Sequence, residues 1–431
     1  MKVVKFSLVI MATALLTIGL SSMAYAFHSG NAAECGGCHS MHSAPAGGSF
    51  LLIKADPSSA CLNCHAQPDT APSSYHVMTY PVPAAGSAPV ERNPGGDFAW
   101  LLKNYTFTVR GTTTTESGSS HGHNVISNDY GITVDPDNAT SPGGNYPSTA
   151  LSCGSCHDAH GRYRRLADGS IVTSGATVRG SGSYNNSIGN NGTAIPQGQA
   201  VGAYRILQGG KAGPVTFPGV PVAVAPSTYN QTEATNQVRV AYGFSGDSSG
   251  RTSWGRWCAT CHAKMHNDNR TNVHPIDETL GSTIATIYGE YVNSGKTVGG
   301  SSSTSYLSLV PFFENTTDFT VTGYTTLASH ASNTNAYLTG PGTGDRVACL
   351  SCHRAHASGF PEMLRWSMEG EFITYADANG NAIWPGTDNG APAQFARGRT
   401  SAETKAAYYD RDVNVFGPYQ RVLCNKCHAQ E

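Results

Sequence analysis

The apolar positions of this chain fall in a few clusters separated by long polar stretches. Residues Phe6 to Leu20 form an apolar run behind Lys2 and Lys5, and Ala24-Tyr25-Ala26 follows with the small-residue spacing of a cleavage site. That order reads as a secretory signal peptide over residues 1–26, leaving residues 27–431 as the mature chain. Ile276, Leu280, Ile284, Ile287 and Tyr291 recur at helical spacing and predict about four turns of amphipathic helix after His274. Thr400 with Glu403 makes a capping box for a shorter helix through Tyr408 and Tyr409. Alternation over Tyr105 to Val109 and over Phe319 to Thr322 predicts short strands. Elsewhere, segments such as Gly169 to Gly210 and Gly295 to Thr304 are rich in Gly, Ser, Thr and Asn and predict irregular backbone. Loops of that length in an ordinary domain argue against a packed core.

Composition sharpens this picture. The 431 residues hold 49 glycines and are 39% hydrophobic and 13% charged, a profile of neither a disordered tail nor a tightly cored enzyme. Without Lys2 and Lys5 the chain has 25 basic against 29 acidic residues, a formal charge of −4, so nothing points to nucleic acid. Beyond the leader no stretch approaches the roughly 18 apolar residues of a membrane span. No cysteine flanks the cleavage site to take a lipid.

The 12 cysteines of an exported chain first suggest disulfides. Their spacing overturns that reading, because every one belongs to a C-x-x-C-H pentad. The six pentads are Cys35, Cys38 and His39; Cys61, Cys64 and His65; Cys153, Cys156 and His157; Cys258, Cys261 and His262; Cys349, Cys352 and His353; and Cys424, Cys427 and His428. This is the c-type haem attachment signature, in which two thiols add to the porphyrin vinyl groups and the histidine becomes the proximal iron ligand. Zinc sites pair C-x-x-C units without requiring a histidine after each. Six haem c groups are therefore expected, and the porphyrins supply the apolar surface that the loops lack.

What fills the sixth position on each iron decides between electron transfer and chemistry on a substrate. Ten of the 16 histidines remain for that role, against five methionines in the mature chain, Met41, Met78, Met265, Met363 and Met368, so bis-histidine ligation throughout can be met. Three pentads extend to C-x-x-C-H-x-x-H, giving His42, His160 and His356; the fourth extends one residue further, to His266. A histidine so close to its own proximal ligand cannot easily reach the opposite face of the same haem, so as a ligand it serves another. His123, His274 and His330 are further distal candidates, followed by His28 and His76. His121 reads as a surface bystander.

Beyond the pentads the chain carries "GGDFAWLLKNYTFTVRG" from Gly95, "AVGAYRIL" from Ala200, "VAPSTYNQTEATNQVRVAYG" from Val224, "CLSCHRAHASGF" from Cys349 and "PYQRVLCNKCHA" from Pro418. In these words it resembles the outer-surface hexahaem c-type cytochromes of metal-reducing bacteria that polymerise into conductive filaments. It departs in a shorter stretch between the first two pentads and in the loops around residues 180–200 and 370–400. The residues between the pentads predict a single elongated unit of mostly irregular backbone, with few short helices and strands, and the resemblance implies that it is wrapped round a stack of six bis-histidine haems. It implies a head-to-tail filament in which His42 binds the fifth haem of the next subunit, and long-range electron transfer from other cytochromes to extracellular acceptors such as metal oxides, electrodes or partner cells. A non-polymerising periplasmic carrier and a multihaem reductase of a small substrate are the alternatives. The reductase needs a vacant iron position, which six conforming motifs do not suggest.

Overall fold

Each pentad folds as a helical turn. At 3.6 residues per turn, a C-x-x-C spacing sets both thiols on one face and brings the histidine N–H over the first cysteine's carbonyl. His157 donates to Cys153 O at 2.9 Å, His262 to Cys258 O at 3.1 Å, His353 to Cys349 O at 2.9 Å and His428 to Cys424 O at 3.0 Å. The computed structural model describes residues 35–42, 45, 51–66, 76–159, short strands within 164–202, and 207–209, 211–219, 221–224, 238–244, 253–266, 274–291, 300–315, 326–327, 329–332 and 334–428. His28, His160 and the strand expected over 319–322 lie outside them.

The turns are seeded by side chains close in sequence. The second motif ends helix Pro57–His65, where Pro57 takes the first position and Asp56 accepts the Ser59 N–H at 2.7 Å. The fourth enters from helix Trp254–Ala259, capped by Ser253, which accepts the Arg256 N–H at 3.0 Å. In helices Cys153–Cys156 and Cys349–Cys352 the residue before the second cysteine reaches back instead. Ser155 Oγ accepts the Ser152 N–H at 3.0 Å and Ser351 Oγ that of Ala348 at 3.2 Å. The first and sixth motifs are the 3-10 turns Cys35–Gly37 and Leu423–Lys426.

Strands are short. Tyr105–Val109 pairs antiparallel with Thr112–Glu116, burying Tyr105 and Phe107 and exposing Thr106 and Thr108. Arg110 and Gly111 join them at φ 51° and 82°, the left-handed pair that matches a two-residue turn to strand twist. Ala241–Phe244 lies between Ala223–Val224, antiparallel, and Phe313–Asn315, parallel. Four strands of two to four residues, Arg164–Arg165, Ile171–Val172, Ala176–Thr177 and Gln199–Gly202, pair where irregular chain was expected.

The apolar side chains gather round the motifs. One cluster joins Phe98, Trp100, Tyr288, Phe312, Trp384, Tyr408 and Phe416 and packs against Cys153, Cys352, Cys424 and Cys427. A second joins Phe217, Tyr242, Trp254, Trp257 and Phe313 and packs against Cys156 and Cys258. The capping box at Thr400 and Glu403 forms, over helix Ser401–Ala407. The helix expected from Ile276 begins later, spanning Gly281–Glu290. The residues before it pair elsewhere: the N–H groups of Asp277, Leu280 and Gly281 donate to Val347 O at 2.9 Å, Asp345 O at 2.7 Å and Thr343 O at 3.1 Å. Tertiary pairing here outweighs helical periodicity. Among the described residues no helix is long and apolar enough to cross a membrane.

Candidate haem sites

Motifs distant in sequence meet at their cysteines. The thiol of Cys61 contacts that of Cys153, and Cys258 contacts Cys349, so the second motif abuts the third and the fourth abuts the fifth. Cys156 lies within electrostatic range of Cys261, and Cys352 of Cys424 and Cys427, which sets the third beside the fourth and the fifth beside the sixth. The first is tied to the second through the chain between them, where Ile53 donates to Cys38 O at 3.0 Å just before helix Pro57–His65. From the second motif to the sixth, spatial order follows sequence order.

Among the described residues, the proximal histidines His157, His262 and His428 each face a second histidine ring. The centroids of His157 and His356 are 6.2 Å apart, those of His262 and His123 6.0 Å, and those of His428 and His274 6.0 Å. An imidazole nitrogen lies about 2 Å from a bound transition metal and the ring centre roughly 1 Å further, so two imidazoles trans on one iron have centres about 6 Å apart. The residues present therefore fit an iron, which each pair would hold, while the thiols of the same motif would attach the porphyrin. The outer ring nitrogens fit as well. His123 donates Nδ1–H to Ala355 O at 2.9 Å, His262 to Pro142 O at 2.8 Å and His353 to Glu362 O at 2.7 Å, which orients each ring and leaves Nε2 for a metal. Burial, with the nearby His262, pushes His123 down to about 4, keeping it the neutral donor that ligation needs.

The remaining candidates differ. Among the described residues no histidine ring faces His353 at that separation, while His42 is exposed. His266 is 2.9 Å through Nε2 from Asp277 Oδ2, and that hydrogen bond raises its pKa. His330 bonds through Nδ1 to Glu314 and stacks on Tyr337 at 4.4 Å. His76 lies 3.9 Å from Glu91 Oε1. His121 is no surface bystander: it is fully buried, with Nε2 2.8 Å from Glu116 Oε1 and Nδ1 3.2 Å from Trp100 O.

Two buried cations that sequence reasoning missed hold the motif backbones. Arg365 donates Nε–H to Leu350 O at 2.8 Å and to His353 O at 3.1 Å, satisfying carbonyls at the end of the fifth motif's turn. Lys426, inside the sixth motif, donates to Tyr288 O at 2.8 Å and Ser305 O at 3.1 Å. The place of Lys426 between two motif cysteines was a signal; Arg365 had none.

Comparison with known proteins agrees with this geometry. The doubled CXXCH motif family matches residues 28–70. The C-type cytochrome OmcS of Geobacter sulfurreducens is 47% identical over 455 positions, covering 100% of both chains. Two solved structures, the cryo-EM structure of OmcS nanowires and the outer membrane cytochrome S filament, both from Geobacter sulfurreducens, superpose with TM-scores of 0.81 and 0.82. Each is 45% identical and covers 94% of this chain and 100% of its own. With this identity over its full length, and with pentads that fold to hold haem, the chain belongs to the OmcS family of multihaem c-type cytochromes.

Proposed function

We propose that the exported chain, residues 27–431, polymerises head to tail into an extracellular filament that carries electrons through six bis-histidine haems to acceptors outside the cell. Haem c, when bound, supplies one-electron exchange between ferric and ferrous iron, at low potential when both axial ligands are histidine. The protein's part is to hold the cofactors covalently, fix their ligands and keep adjacent sites in contact. It is an electron-transfer protein rather than an enzyme. In support of a leader, the two filament structures match 94% of this chain while covering all of their own length.

The observation that carries the reading is the pattern of the three ring pairs. The x-x-H histidine of the fifth motif, His356, faces the third motif's ligand, two motifs back. His123, before the third motif, and His274, before the fifth, face the ligands of the fourth and sixth. The same rule moved back by two motifs assigns His160 to the first haem and His28, before the first motif, to the second. Moved back once more, it leaves His42 with no haem in its own chain, and its ligand position falls on the fifth haem of a neighbouring copy. The fifth is also the motif whose His353 faces no described histidine. A contact that repeats head to tail without closing generates an open filament. A His42→Ala variant is expected to keep six haems per chain, by pyridine haemochrome assay, and to form no filaments by electron microscopy. Normal filaments from it would contradict the reading.

A further inference from the structure

Inside the chain, the segment that carries His356 serves two haem sites at once. His356 faces His157, and the carbonyl of the preceding residue, Ala355, accepts the Nδ1–H of His123 at 2.9 Å. Backbone contacts lock the two stretches together: His123 donates its N–H to His356 O at 2.9 Å, Ser358 donates to His121 O at 3.0 Å, and Gly122 bridges to Ala357. One dipeptide, Ala355-His356, thus offers a ligand to the third site and orients the distal ligand of the fourth.

At the joint between copies the corresponding dipeptide is Met41-His42, and the corresponding distal ligand is His274, which faces His428 as His123 faces His262. His274 is exposed, and among the described residues nothing accepts its Nδ1–H, whereas His123, His262 and His353 each give that proton to a carbonyl within 2.9 Å. Met41 is exposed to 79% at the other end of the proposed contact. We propose that the carbonyl of Met41 accepts the Nδ1–H of His274 from the neighbouring copy, so that one dipeptide crossing the joint ligates the fifth haem and orients the distal ligand of the sixth. This rests on the reading of His42 given above. Met41 is then a positioning residue acting through its backbone. Donation to a carbonyl fixes the ring plane and raises ligand basicity, so assembly tunes the sixth haem as well as completing the fifth.

Two measurements on the holoprotein test this. Electron cryo-microscopy of filaments at side-chain resolution is expected to place His274 Nδ1 within about 2.7–3.2 Å of the neighbour's Met41 carbonyl oxygen. Electron paramagnetic resonance of the ferric protein is expected to show the sixth haem's low-spin signal, identified by its change in His274→Met, shifting when His42→Ala disperses the filament. The fourth haem's signal, identified through His123→Met, should stay in place. Filaments with His42 on the neighbour's fifth haem but with Met41 O beyond about 3.5 Å from His274, or with an unmoved sixth-haem signal, overturn this inference and leave the joint intact. Filaments in which His42 reaches no neighbouring haem overturn both.

Discussion

His121 shows what a single residue contributes beyond ligation. Its ring stacks on Tyr105 at 6.1 Å and shares Glu116 with Arg399 and Arg397. Burial pushes the His121 pKa down, against the pull of the Glu116 hydrogen bond. Burial alone would raise Glu116, but the His121 hydrogen bond and the Arg399 charge outweigh it and hold the carboxyl at about 2. Both groups bind fewer protons folded than unfolded, so their stabilisation is full near neutral pH and declines on acidification. The loss begins below the ordinary imidazole value of 6.5 for His121 and falls between 4.5 and about 2 for Glu116. Glu116→Gln should cost about 3–5 kcal/mol at neutral pH, because Arg399 loses its buried counter-charge. It should also flatten the acid limb below pH 4.5, read from denaturant unfolding at several pH values; a limb parallel to that of the wild type would contradict the assignment. None of this was legible in the sequence. His121 sits among Gly and Ser, and Arg399 is 283 residues from Glu116.

At the scale of elements, the pentads were legible because their chemistry and their fold share one period: the turn that spaces two thiols also carries the histidine. The box at Thr400 and the strand Tyr105–Val109 were legible for a similar reason, each being specified by residues within one turn or one strand. The late start of helix Gly281–Glu290 was not, since it depends on Thr343, Asp345 and Val347. The same long-range pairing governs the proposed distal ligands. His356 donates its N–H to Gly95 O at 2.6 Å, and Gly96, at φ 97°, leaves no room for a side chain, since an added Cβ would stand 1.7 Å from Ala357 O. Gly96→Ala should therefore displace the stretch that presents His356. Its expected effects are a cost of at least about 2 kcal/mol and conversion of the third haem from low to high spin. Gly111→Ala, at φ 82° with nothing within 4 Å, is the control; it should cost about 1 kcal/mol and leave every haem low-spin. Equal spectra for the two variants would separate Gly96 from ligand placement.

For the whole molecule, the sequence announced six cofactors but not their connections, because pairing is a property of how distant segments cross. Three pairs and four motif junctions now give a line from the second motif to the sixth, with the exposed His274 and His428 at its sixth-motif end. On the proposed assignment of ligands in steps of two motifs the chain is incomplete alone: one histidine would have no haem, and one haem no distal histidine. Carbon monoxide tests this most directly, because it binds ferrous haem only where an axial position is open or labile. Reduced wild-type filaments are expected to take up none, and the dispersed His42→Ala chain one equivalent, the gas leaving the spectra of the other five haems as they were before its addition. Uptake by intact filaments, or none by the dispersed variant with all six haems attached, would contradict a ligand shared between copies.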